Sequence, residues 1–194
     1  MSSTRIPATE VTGLYGAIVK RLSRKMLGKV PESLGVMWHH KKVMKTSLSV
    51  GHRSRAWNVC DRNLKSYAHM AVASLLGCSF CLDFGYFQAR NEGLDLVKAR
   101  DIPRWRESDV FTPLERDVLE YAEAMSQTPP AVTDVLSARL LDKLGPAALI
   151  ELTTFIGVAN QMARTNVALG IEAEGLSDAC GLPALRRPSS VRSS

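Results

Sequence analysis

The chain has no long apolar run. No stretch approaches the ~20 residues a helix needs to span a bilayer, and the opening MSSTRIPATE lacks the apolar core of a signal peptide. We therefore expect a cytoplasmic protein. No segment alternates apolar and polar residues at the period of two that a half-buried strand requires, so sheets are not expected. A phosphate-cradling glycine loop and a dinucleotide-binding fingerprint are both missing, and no cofactor is expected. Cysteine is scarce, with four in 194 residues, and Cys60 and Cys180 each stand alone. Acidic residues are scarce at one end. Residues 1–65 hold 13 Lys and Arg against 3 Asp and Glu, a balance of +10, whereas the rest of the chain carries a balance of −4.

What is present suits one ordinary globular core. The hydrophobic fraction of 45% and charged fraction of 23% are those of a globular domain, and this length can bury one substantial core with appended arms. The basic first third opens with Leu14 to Met26, where Leu14, Ile18 and Leu22 share a helical face and Lys20, Arg21, Arg24 and Lys25 lie largely elsewhere. Such a helix can lie on an anionic membrane or bind nucleic acid. It is short, however, it has no Trp or Phe, and no nucleic-acid motif accompanies it. We expect it to dock on its own domain or on a neighbouring subunit, with no nucleic acid and no membrane partner. The stretch 31–38 reads as turn-rich. His39 and His40, being adjacent, point to different helix faces and suit the surface. Residues 45–63 read as a polar connection with Trp57 packed inward.

Helical periodicity dominates the remainder. Leu64, Tyr67, Ala68, Ala71, Leu75 and Leu76 recur at three- and four-residue intervals, and Gly77 can end that helix with a left-handed cap. Ser79 can start the next, which runs through Phe84, Phe87 and Ala89 and stops at Gly93. Thr112, Pro113 and Glu115 form a helix-start signature for a segment with Val118, Leu119, Tyr121, Ala122 and Met125 on its apolar face. Pro129 and Pro130 break it. Thr133 or Asp134 starts a helix ended by Gly145-Pro146, and a last long helix runs roughly over 147–168. Residues 172–194, rich in Gly, Pro, Ser and Arg, read as a mobile tail. The expected fold class is all-α, with a basic helical arm over 1–63, a helical core over 64–171 and the tail beyond.

Cys78 and Cys81 stand where the helix ending at Gly77 gives way to the next. Thiols in the first turn of a helix meet free N–H groups and the positive end of the dipole, which favour the nucleophilic thiolate. A dithiol at this spacing can close into a disulfide and reopen. Half of a zinc site is an alternative, but the matching second pair is missing and Cys60 lies 18 positions upstream. No metal is expected. Two inert core thiols are the remaining alternative. In a reducing compartment a paired motif of this kind is catalytic more often than it is a structural staple.

The stretch ASLLGCSFCLDFGYFQARNEGLD resembles the CxxC helix of the carboxymuconolactone decarboxylase, or alkylhydroperoxidase D-like, family. TPLERDVLEYAEAM and LGPAALIELTTFIGVANQMARTNVALGI resemble the helices that follow it there. The resemblance implies an alkylhydroperoxidase D-like helical bundle that assembles into trimers or larger homo-oligomers. It also implies a thiol-dependent peroxidase that reduces hydroperoxides with its two cysteines and is recharged by a dithiol donor such as a lipoylated protein. On that resemblance Cys81 attacks first and Cys78 closes the disulfide. The decarboxylase branch acts on a lactone acid without this dithiol.

Two positions depart from the family pattern. Its redox members carry a histidine four residues after the second cysteine, where this chain has Gly85, and a glutamate twelve before the first, where it has Ser66. A hydroxyl with no carboxylate beside it is a poor general base. His69, three residues after Ser66 on the same helical face, is a candidate replacement base, or else a histidine satisfied within the core. Asp83 can reach the thiols through water or cap the helix start, though a carboxylate beside a thiolate raises the thiol pKa. Tyr67 and Tyr86 are pocket candidates or plain packing. Asn160, Arg164 and Asn166 place polar groups in an apolar stretch, to line a cavity or to pair helices. The catalytic candidates are therefore Cys78, Cys81, His69 and Asp83. The alternative to a peroxidase is an oligomeric helical scaffold or redox sensor that has lost efficient catalysis.

Overall fold

The structure, a computed structural model, describes residues 4–177. Every regular element among them is helical, as expected. The N-terminal part comprises α1 (Gly13–Leu27), α2 (Glu32–Met37) and α3 (Lys41–Ala56). A close pair follows, α4 (Arg62–Leu75) and α5 (Ser79–Asn91), then short α6 (Leu96–Asp101), which runs into a 3₁₀ turn at Ile102–Glu107. The long helices α7 (Pro113–Ser126) and α8 (Asp134–Leu169) complete the bundle.

α4 is its axis. Helices α5, α7 and α8 all pack against it, and it buries Leu64, Tyr67, Ala68, Met70, Ala71, Val72 and Ala73. A helix apolar on nearly every side must be surrounded, and its three buried alanines let neighbours come close. Asp61 starts it, accepting hydrogen bonds from the N–H groups of Asn63 (2.8 Å) and Leu64 (3.1 Å). α7 begins with the expected capping box, in which Thr112 and Glu115 satisfy each other's N–H groups, and with Pro113 in its first turn. Thr133 caps α8. The expected break at Gly145-Pro146 is a kink, since Gly145 leaves helical geometry (φ 74°, ψ 168°) and the helix resumes at once.

A buried ion pair ties the start of the bundle to its last helix. Lys65 Nζ lies 2.6 Å from Glu151 Oε1, and the two side chains are only 4% and 7% exposed. Lys65 also donates to the carbonyl of Trp57, and Glu151 Oε2 accepts the N–H of Val59 at 2.9 Å. The loop between α3 and α4 is thereby held through its backbone. That explains why Trp57 itself is 39% exposed and not packed inward as expected.

The N-terminal third differs from its sequence reading in three ways. Residues 45–56, expected as a connection, belong to α3. Its buried residues are Met44, Gly51 and Ser54, small apart from the first, so its apolar periodicity is faint. A Cβ on Gly51 would meet Met162 Sδ of α8 at 3.5 Å, so the small residues mark the contact line. The stretch 31–38 forms α2 and then a 3₁₀ turn at Trp38–His40. Among the described residues, the stripe on α1 does not dock on its own domain. Leu14, Ile18, Leu22 and Met26 are 83%, 58%, 52% and 62% exposed. α1 instead contributes Gly16 and the Tyr15 ring to a small cluster of Val11, Leu34, Trp38 and Met44.

The start of the expected tail is also ordered. Residues 172–177 fold back onto α5. The rest of that tail, Cys180 included, lies outside the described residues. No helix among those described is long and apolar enough to cross a membrane.

Because charges in low dielectric are costly when one partner is removed, Lys65→Met is expected to destabilise the fold by about 3–5 kcal/mol. Denaturant melts of that variant and of Lys65→Met/Glu151→Leu test this. The double variant is expected to recover most of the loss, and a single-variant cost below about 1 kcal/mol would refute it.

Candidate active site

Cys78 serves two helices at once. α4 ends in a Schellman arrangement with Gly77 at φ 68°, in which the Gly77 N–H donates to Ser74 (3.2 Å) and the Cys78 N–H to Ala73 (2.9 Å). The same Cys78 is the N-cap of α5, its Sγ accepting the N–H of Cys81 at 3.2 Å. Sulfur here takes the place that a Ser or Asp oxygen usually holds. Cys78 and Cys81 are joined as a disulfide with Cα atoms 5.3 Å apart. Both are buried, at 1% and 5% exposure. Among the described residues, one side chain from elsewhere donates to them. Asn166, in the last turn of α8, points its Nδ2 at Cys81 Sγ (3.4 Å) and lies 4.0 Å from Cys78 Sγ.

Gly85, where the family resemblance implies an imidazole, has no room for a side chain unless its neighbours move. A Cβ there would stand 2.7 Å from Met70 Cγ and 3.4 Å from His69 Nδ1. α4 and α5 meet so closely at this point that the glycine is a packing requirement. The His69 ring fills the space from the opposite helix. Of the two readings of that residue, a near-neutral base or a histidine held within the core, its surroundings favour the second. Burial, and then the nearby Arg55 guanidinium, push its pKa down to about 3, so the imidazole is neutral throughout the physiological range. Tyr86 is buried on α5, its hydroxyl pushed up to about 12 by burial. Tyr67 packs edge-on against Phe111. Ser66 is half-buried on α4.

Asp83 faces the C-terminal segment. Its Oδ2 accepts the N–H groups of Glu174 (3.0 Å) and Leu176 (2.9 Å), while its Oδ1 accepts both the N–H (2.7 Å) and the hydroxyl (2.6 Å) of Ser177. Burial alone would raise its pKa, but these donors outweigh burial and hold the carboxyl below its ordinary range. Ser79, between the two cysteines, accepts the N–H of Ala173 at 3.0 Å. Residues 171–177 thus form a strap across the first turns of α5. Glu174 extends the strap to the N-terminal arm, accepting the Ser33 N–H at 3.2 Å and pairing with Lys29.

Of the other polar residues on α8, Asn160 donates to Ser126 Oγ (2.9 Å) and Arg164 to the Ser126 carbonyl (2.6 Å), joining α8 to the end of α7. Asn166 alone of the three turns to sulfur. Cys60 is free and buried beside the Lys65–Glu151 pair, its thiol pushed up to about 11, first by burial and then by Glu151.

The sequence profile of the carboxymuconolactone decarboxylase family matches residues 42–124, from α3 through most of α7. The uncharacterised protein YnjA of Escherichia coli K12 is 37% identical over 140 residues, covering 72% of this chain and 75% of that protein. The chain belongs to the carboxymuconolactone decarboxylase family. Two solved structures share its fold. The debrominase Bmp8, in complex with 2,3,4-tribromopyrrole, superposes with a TM-score of 0.77 at 20% identity, covering 91% of this chain and 95% of that one. A peroxidase-related protein with an alkylhydroperoxidase AhpD core, from Ralstonia eutropha JMP134, gives 0.68 at 15% identity, covering 89% and 95%. The chain carries the cysteine pair, with Gly85 and Ser66 at the positions where the resemblance implies a histidine and a glutamate. Asn166 lies outside the matched span, on a helix that the fold brings back to the motif.

Two expectations follow from the geometry. Unfolded His69 takes up a proton near pH 6.5, whereas the folded one stays neutral down to about pH 3. Its burial therefore stabilises fully above pH 6.5, and the benefit falls by up to about 1.4 kcal/mol per pH unit below that. His69→Asn is expected to flatten stability against pH between about 6.5 and 4.5, above the range where Asp83 and Glu151 take up protons; denaturant melts with slopes equal to wild type would contradict this. Asp83→Ala removes the acceptor for four donors, and is expected to raise the alkylation rate of the reduced Cys78 and Cys81 at least about fivefold by loosening the strap. An unchanged rate would mean the strap does not limit access.

Proposed function

We propose that the chain is a dithiol peroxidase that reduces hydroperoxides through Cys78 and Cys81. The observation that carries this is the bonded pair at the start of α5, with the Cys81 N–H on one sulfur and Asn166 Nδ2 directed at the other. In the cycle, the Cys81 thiolate attacks the terminal peroxide oxygen. The O–O bond breaks, the alkoxide takes a proton and leaves as the alcohol, and Cys81 becomes a sulfenic acid. The Cys78 thiolate then attacks the Cys81 sulfur, the S–O bond breaks, and hydroxide leaves as water once protonated. An external dithiol, such as that of a lipoylated protein, returns two electrons and two protons and is itself oxidised to a disulfide. Exposed Leu14, Ile18, Leu22 and Met26 support a homo-oligomer in which α1 meets a neighbouring copy.

A redox sensor or scaffold is the second reading. It is supported by Gly85, which leaves no space for an imidazole on α5, and by the neutral His69. A base with so low a pKa does not take a thiol proton at neutral pH. The lactone decarboxylase activity of the family has no acid and base pair here to support it.

Purified protein supplied with an organic hydroperoxide and dihydrolipoamide is expected to turn over, and Cys78→Ser or Cys81→Ser is expected to reduce turnover at least about a hundredfold. A brominated pyrrole in place of the peroxide tests the acceptor class of the structurally similar debrominase. Full activity in Cys81→Ser overturns the proposal. No turnover of either acceptor by the native chain favours the sensor.

A further inference from the structure

The two sulfurs are served by different donors. Cys78 Sγ has the Cys81 N–H at 3.2 Å and stands at the positive end of the α5 dipole. Cys81 Sγ has Asn166 Nδ2 at 3.4 Å, and the same nitrogen is farther from Cys78, at 4.0 Å. The Asn166 amide comes from 85 positions along the chain and is held by the end of its own helix. Gly170 closes α8 in a left-handed cap (φ 69°), and the Ile171 N–H donates to the Asn166 carbonyl at 2.9 Å. The strap that binds Asp83 continues directly from this cap. The backbone that carries the amide is therefore held at the helix end, and the Asn166 side chain is half-buried.

We propose that Asn166 is a positioning residue for Cys81, donating a hydrogen bond that favours its thiolate in the reduced protein. The inference rests on the dithiol reading of this site and adds what sets the ionisation of one particular sulfur. A donor to the charged form of an acid lowers its pKa, and the effect is larger where water is excluded, as it is around a residue 5% exposed. The need for such a donor is specific to this chain. A Cβ on Gly85 would crowd Met70 and His69, and His69 is held neutral by its burial and by Arg55. Asp83 is occupied by four donors of the strap. Asn166 is the side chain that the structure places on Cys81 with an N–H to give.

The test reads ionisation and not peroxide turnover, so it is decided even if the chain proves to be a sensor. In a Cys78→Ser/Cys180→Ser background, Cys81 is alkylated with iodoacetamide from pH 5 to 10; buried Cys60, its pKa pushed up to about 11, contributes little below that value. Asn166→Ala is expected to raise the pKa seen in the rate profile by about one unit, slowing alkylation near pH 6.5 about tenfold. Asn166→Asp keeps the shape but offers only acceptors, and is expected to raise it further. Asn166→Ser, with a shorter donor, is expected to fall between wild type and Ala. Above the pKa all variants are expected to react within about threefold of one another, because a fully formed thiolate no longer needs the donor. Superimposable pH profiles in Asn166→Ala and Asn166→Asp would overturn the proposal, as would rates lowered equally at every pH, which is the signature of a purely structural role. Peroxidase failure in the native protein alongside a shifted profile would overturn the proposed activity while leaving the Asn166 assignment in place.

Discussion

The position of one residue, Cys78, fixes the geometry of the dithiol. It is the second residue of the α4 cap and also the cap of α5, so the hairpin between the helices has no slack in which the sulfur could move. Gly77 makes this possible by taking a left-handed conformation that a side chain would resist. The second constraint is the closeness of the helices one turn later, where Gly85 lies against Met70 and His69. A larger residue at 85 would push α5 away from α4 and carry Cys81 with it. The missing imidazole and the tightness of the hairpin are two faces of one packing choice.

Electrostatics around α5 are arranged by the chain that crosses it. Asp83 is a buried carboxylate two residues beyond Cys81, and left unpaired it would oppose a thiolate by like-charge repulsion. The strap supplies it with three backbone N–H groups and a hydroxyl. Its negative charge is thus distributed over donors on the side where the strap lies. The same contacts cover the start of α5, since Ala173 bonds to Ser79 between the cysteines. Solvating the carboxylate and covering the start of α5 are achieved by one segment, and loosening it affects both.

Much of the bundle was legible from the spacing of large apolar residues and from strong caps. Thr112, Pro113 and Glu115 announced α7, and Leu64 through Leu76 announced α4, because each buries side chains large enough to leave a period. α3 was not legible for the opposite reason. Gly51 faces α8 at Met162, and Gly51 and Ser54, buried on α3, carry no hydrophobic signal. The cysteine pair and its helix-start setting were visible in the sequence, since cap and motif are local. The partners of the site were not. Asp83 meets Ser177, and Cys81 meets Asn166, across separations of 94 and 85 residues. Only an isolated Asn in an apolar helix hinted at the second, and Asn160 nearby gave the same hint while serving to join α8 to α7.

On the proposed reading, fixed donors stand where a base would act, and that changes what governs the chemistry. A general base removes the thiol proton as attack occurs, so its own pKa sets the working range. Fixed donors act before any substrate arrives, by lowering the free energy of the thiolate, and the thiol's pKa takes over that role. The gain has a ceiling, because intrinsic nucleophilicity declines as thiol pKa falls, with a Brønsted slope of about 0.4–0.5. Once the pKa lies below ambient pH, a stronger donor slows attack. On the proposed cycle the two donors then divide the labour. In that cycle the sulfur with the better-stabilised thiolate leaves more readily when the disulfide is reduced, and the incoming dithiol attacks the other.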